Sequence, residues 1–164
     1  MQPRTVYLVK RLETEVTVAM SNTLIAFELT PLQFSVMSFV EAQGLGFSSA
    51  QLSRRFSMTP QSMNEIVAIL ERKNMLEKVI DPNHKRVLLL NLTEQGKAVL
   101  TACNEAVDAL EKDLFNGLTA KELINLRSII GKFLTKNKAW IKLNFARPLL
   151  DIDFGLAKSR VDAV

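Results

Sequence analysis

The sequence contains one cysteine, Cys103, and one histidine, His84. A lone cysteine excludes an intramolecular disulfide, and one residue of each type leaves no Cys/His cluster with metal-ligand spacing. The six glycines are scattered, so there is no glycine-rich loop to cradle a phosphate. No Ser/His/Asp ordering is visible, and serines such as Ser53 and Ser57 lie where helix capping explains them better than nucleophilic attack. These absences argue against an enzyme and against a bound metal or cofactor. Long apolar runs are missing too, so a bilayer-spanning segment is not expected. Met1 to Arg11 lacks the apolar core of a secretory signal, which makes a cytoplasmic home without a membrane partner the simplest expectation.

What is present is ordinary globular material. Of the 164 residues 48% are hydrophobic and 23% charged, enough for one domain with a sizeable core, or one domain and an appendage. The formal charge of +4 permits binding to a polyanion without demanding it, so the placement of the charges matters more than their sum.

Periodicity divides the chain. Between Val6 and Phe27 apolar residues recur at steps of three and four, which predicts a first helix. Thr30-Pro31-Leu32-Gln33 reads as a cap, a first-turn proline and a reciprocal glutamine, opening a second helix that ends near Gly44 and Gly46. Ser48 and Gln51 repeat the capping pair and begin a third helix carrying Leu52 and Phe56. After a short turn Thr59-Pro60 starts a fourth, with Met63, Ile66, Val67 and Leu70 on one face, fading near Asn74. Leu76–Ile80 and Arg86–Leu92 read as strands around the turn Asp81-Pro82-Asn83. Thr93 caps a fifth helix with the stripe Val99, Cys103, Ala106, Val107, Leu110 and Leu114. Thr119 and Glu122 open a sixth, which the pattern allows to run on to Trp140. The fold class is therefore mainly α: six helices and a two-stranded antiparallel hairpin.

Two short helices joined tightly and followed by a hairpin form a winged helix-turn-helix. A B-DNA major groove, about 12 Å wide, admits an α-helix, and the second helix of the pair presents its N-terminal residues to base edges. On that helix Gln61, Ser62 and Asn64 are the expected base readers, because an amide can pair bidentately with adenine. Thr59 at its tip can bond phosphate or base. Arg54, Lys73, Lys85 and Arg86 are expected on the backbone or in the minor groove, with His84 beside them. Residues 54 to 86 hold seven basic side chains against four acidic ones, most of the excess positive charge of the chain. Asp81 is expected to orient Arg86 by a carboxylate–guanidinium pair across the wing. Taken singly, each of these residues is an ordinary solvated side chain; the architecture around them supports the functional reading.

Leu29-Thr30-Pro31-Leu32-Gln33, the stretch from Leu52 to Leu70, the wing and Leu92-Thr93-Glu94-Gln95-Gly96 together resemble the MarR family over roughly residues 5 to 140. The family wing runs Asp-x-Arg-Asp-x-Arg. Asp81 and Arg86 match its ends, whereas Asn83 and His84 replace its inner Arg and Asp. The resemblance implies a homodimer built from the terminal helices, a palindromic operator on double-stranded DNA, and often release by a small-molecule effector or an oxidant. The long apolar stripes of the first, fifth and sixth helices independently suggest a second copy.

The expected layout is a helical dimerisation region (1–28 and 94–143), a winged helix-turn-helix (29–93) and a C-terminal extension (144–164). That extension holds Leu149, Leu150, Ile152, Phe154, Leu156 and Val161 and is expected to pack on the dimer. Cys103, inside a helical stripe, reads as packing rather than as a redox sensor. The functional expectation is a sequence-specific, DNA-binding transcriptional regulator acting by repression. Two alternatives stay open: a small-molecule-binding dimer with little DNA binding, and a protein-interaction module using the same fold.

Overall fold

Helix starts in this chain are set by short polar signals. In the computed structural model, which describes residues 3–43 and 47–136, five helices begin at the caps that the sequence marks. Thr30 Oγ1 accepts the Gln33 N–H at 3.2 Å, and Gln33 Oε1 accepts the Thr30 N–H at 3.1 Å. Ser48 and Gln51 make the same reciprocal pair, as do Thr119 and Glu122. Thr59 Oγ1 accepts the Ser62 N–H at 3.1 Å with Pro60 at the first helical position, and Thr93 Oγ1 accepts the Gly96 N–H at 2.9 Å. Each cap satisfies backbone donors that have no partner inside the helix.

The elements run α1 (Thr5–Leu24), a 3-10 turn (Ile25–Phe27), α2 (Pro31–Gln43), α3 (Ser49–Arg55), α4 (Pro60–Arg72), β1 (Leu76–Ile80), β2 (Leu88–Leu92), α5 (Glu94–Leu114) and α6 (Ala120–Lys136). The strands pair antiparallel in a register that sets Leu76 opposite Leu92 and Ile80 opposite Leu88.

Two boundaries differ from the sequence expectation. The first helix does not stay α-helical to Phe27. It tightens into a 3-10 turn and stops at Glu28, whose φ of 55° is left-handed and ends helical hydrogen bonding. The second strand starts at Leu88 rather than Arg86, because the turn is longer: Val87 N–H bonds to His84 O at 2.7 Å and Asp81 N–H to Val87 O at 2.9 Å. The fifth helix ends at Leu114, the last residue of its expected apolar stripe. The Gly44/Gly46 stop, the continuation to Trp140 and the 144–164 extension lie outside the described residues.

The core surrounds α2, which buries Phe34, Val36, Met37, Phe39 and Val40. Leu52 and Phe56 of α3, Met63, Val67 and Leu70 of α4, Leu90 and Leu92 of β2, and Leu100 and Cys103 of α5 close on it. The Phe39 ring meets Phe47 and Phe56 edge-on, at centroid distances of 5.1 and 5.8 Å. Gly96 is required by proximity: a Cβ there would sit 2.0 Å from the Met75 carbonyl oxygen. The α5 start is thereby pressed against the end of the α4–β1 connection, where Thr93 Oγ1 also donates to Asn74 O at 2.6 Å.

The terminal helices are different. α1 buries only Leu24, and α6 buries none of its described side chains. Val6, Tyr7, Leu8, Val9 and Leu12 of α1 are exposed, with Ile124 and Ile129 of α6 more than 60% so. Among the described residues no single helix is long and apolar enough to cross a membrane; α1 with its 3-10 turn and α2 meet that test only as a pair, which is bent by 75°.

Candidate nucleic-acid interface

α4 has two faces because its apolar residues fall at helical spacing. Met63, Val67 and Leu70 are fully buried in the core, and Ile66 is half-buried. Pro60, Gln61, Asn64, Glu65 and Ala68 are exposed on the other side. The turn before α4 is held by Met58 N–H on Ser53 O at 2.8 Å, with Ser57 in a left-handed conformation. α3 thus props α4 so that its N-terminal turn projects outward.

At that tip, Thr59 is exposed and Ser62 half-buried, their hydroxyls 2.8 Å apart. Gln61 Nε2 donates a long bond to Glu65 Oε1 at 3.4 Å. Asn64 Oδ1 accepts from the Ser49 hydroxyl at 2.5 Å, a contact between α3 and α4 across fifteen residues of chain. No periodicity or motif marks Ser49 for this, so the sequence reading missed it.

The wing lies beside the helix pair. Lys78 Nζ meets Glu71 Oε2 at 2.8 Å and ties β1 to α4. Between α3 and the wing turn runs a groove lined by Ser48, Gln51, Arg54, Asn83 and His84. Arg54 is thereby brought close to the turn, and Lys85 and Arg86 are exposed next to it. None of Arg54, Lys85 and Arg86 enters an ion pair among the described residues. Their charge stays available to a polyanion.

Two expected roles are corrected. Asp81 does not hold Arg86: its Oδ1 accepts the Asn83 N–H at 2.8 Å, a bond within the turn that commits the carboxylate locally. Lys73 does not belong with the other cations. It caps the far end of α4, about 20 Å along the helix from Thr59. Its Nζ donates to the Glu28 carbonyl and lies 3.7 Å from Glu28 Oε2. Lys73 ties the recognition helix to the end of α1.

Cys103 is fully buried, and burial pushes its thiol pKa up, so the reactive thiolate is disfavoured. Among the described residues no group of His, Cys, Asp and Glu is arranged to hold a metal ion.

Residues 27–87 match the family model described as MarR family. The multiple antibiotic resistance protein MarR of Salmonella typhimurium is 26% identical over 132 residues, covering 80% of this chain and 89% of that protein. An HTH-type transcriptional repressor of Mycobacterium tuberculosis is 30% identical over 108 residues, covering 63% of this chain and 78% of that protein. Among solved structures, apo MarR from E. coli superposes with a TM-score of 0.70 at 23% identity, over 82% of this chain and 99% of that one. The S. aureus MepR–DNA complex gives a TM-score of 0.70 at 20% identity, over the same shares. These two likenesses establish a common fold.

Proposed function

The chain belongs to the MarR family, and from that premise we propose that it binds duplex DNA sequence-specifically as a cytoplasmic homodimer and represses transcription. The observation that carries the reading is the outward tip of α4, with Thr59, Gln61 and Asn64 exposed, together with Arg54 of α3 and Lys85 and Arg86 of the wing, which enter no ion pair among the described residues. A polar helix tip suits the major groove, and exposed cations suit the phosphates that line it. Gln61, Ser62 and Asn64 are the base readers in this proposal. Thr59, Arg54, His84, Lys85 and Arg86 contact backbone or minor groove, while Asp81 shapes the turn that carries the last three. A relative solved on DNA and a relative named as a repressor support the same assignment.

The proposed layout assigns 29–93 to DNA binding, 1–28 and 94–143 to dimerisation, and 144–164 to an extension on the dimer. A palindromic operator follows from two-fold symmetry, with the recognition helices about 34 Å apart. Release by a small-molecule effector is the regulatory step that family membership implies. Oxidant sensing through Cys103 is disfavoured by its burial.

The test is fluorescence anisotropy with duplexes drawn from the gene's own upstream region, titrated at several salt concentrations. Affinity falling linearly on a log–log salt plot, with a slope of about −0.9 per phosphate contacted, is expected. Absence of binding at low salt contradicts the proposal.

A further inference from the structure

An asparagine that reads adenine must use both ends of its amide at once, Oδ1 accepting from N6–H and Nδ2 donating to N7. In Asn64 one of those ends is already engaged on the protein. The Ser49 hydroxyl donates to its Oδ1. The oxygen is therefore turned toward α3. Nδ2 meets no protein acceptor among the described residues, and the side chain is otherwise exposed. What Asn64 offers outward is a pair of N–H donors.

We propose that Asn64 is a donor-only base reader, held in that state by Ser49. It accepts base edges that carry an acceptor (guanine O6 or N7, adenine N7, thymine O4) and rejects cytosine, whose major-groove edge carries only the N4 donor. Ser49 is a positioning residue: it never touches the base and acts by fixing which end of the amide points out. The inference rests on the reading that α4 enters the major groove, and it makes that reading specific at one position per half-site.

The experiment is selection of bound duplexes from a random pool by the full-length protein and three variants. At the position read by residue 64, the unmodified protein depletes cytosine and is not dominated by adenine. Ser49→Ala frees the amide, and adenine enrichment there rises about five-fold or more, the discrimination that one bidentate pair supplies. Ser49→Thr restores the hydroxyl and the original profile. Asn64→Leu still binds DNA but no longer depletes cytosine. Ser49 lies half-exposed in the first turn of α3, so its loss leaves the core intact and each variant melts as the parent does. Adenine dominant in the unmodified protein, or a profile unmoved by Ser49→Ala, overturns the proposal while DNA binding stands. Recovery of no duplex by any of the proteins overturns the DNA-binding reading and this one with it.

Discussion

Arg86 is exposed on the wing turn and enters no ion pair among the described residues, which suits it to a phosphate. Removing one phosphate contact lowers affinity uniformly across sequences and reduces the salt slope by about one. Arg86→Ala is expected to do both in an anisotropy titration while leaving the melting temperature unchanged. Affinity and slope equal to the parent's remove Arg86 from the interface. That Asp81-Pro82-Asn83 forms a turn was legible, because the bond from Asp81 to the Asn83 N–H spans two residues. Which of two nearby donors takes the Asp81 carboxylate was not. A backbone N–H two residues away is already in place, whereas a guanidinium must give up side-chain freedom to reach it. The Cys103 thiol, buried and shifted upward, is expected to resist iodoacetamide in the folded protein and to react on unfolding, followed by mass spectrometry. Rapid labelling of the native protein contradicts a packing role.

The helices were legible because their starts are encoded locally. Thr30, Ser48, Thr59, Thr93 and Thr119 each bond to a backbone N–H within three residues, so a short window of sequence contains the whole interaction. The side chains that join elements were not legible. Lys73 pairs with Glu28, forty-five residues away, and Ser49 with Asn64, fifteen away. Nothing in composition or period specifies those meetings. Lys73 was assigned to DNA because it is basic and near the motif; the structure places it at the C-terminal end of α4, bonded to Glu28. Lys73→Met is therefore expected to leave the salt slope of DNA binding unchanged and to lower stability by on the order of 1 kcal/mol in urea unfolding, through loss of a partly exposed charged hydrogen bond. A slope reduced by about one returns Lys73 to the interface.

The proposed dimer rests on apolar surface that the described residues leave exposed. Val6, Tyr7, Leu8, Val9 and Leu12 on α1 and Ile124 and Ile129 on α6 are exposed, on helices whose only buried described side chain is Leu24. A second copy would bury them, and the hydrophobic gain of about 25 cal/mol per Å² acts across both faces. The stripes were legible in the sequence, but not how each is shared between the chain's own core and a partner. Leu24 and Val9 belong to one stripe, yet Leu24 is fully buried and Val9 is 60% exposed. Val9→Glu combined with Ile129→Glu is expected to halve the sedimenting mass and to abolish tight binding to a two-fold symmetric duplex. The same mass and affinity as the parent place the dimer contact elsewhere.

Sequence-specific binding of the proposed kind requires the polar tip of α4 to occupy a major groove twice per dimer. Methylation protection of guanine N7, on the tightest duplex recovered by selection, reads that groove directly. Two clusters of protection related by a dyad and centred about 10 base pairs apart, both lost in the Gln61→Ala/Asn64→Ala double variant, are predicted. Guanine N7 fully reactive throughout a bound duplex, or a single asymmetric cluster, would contradict it.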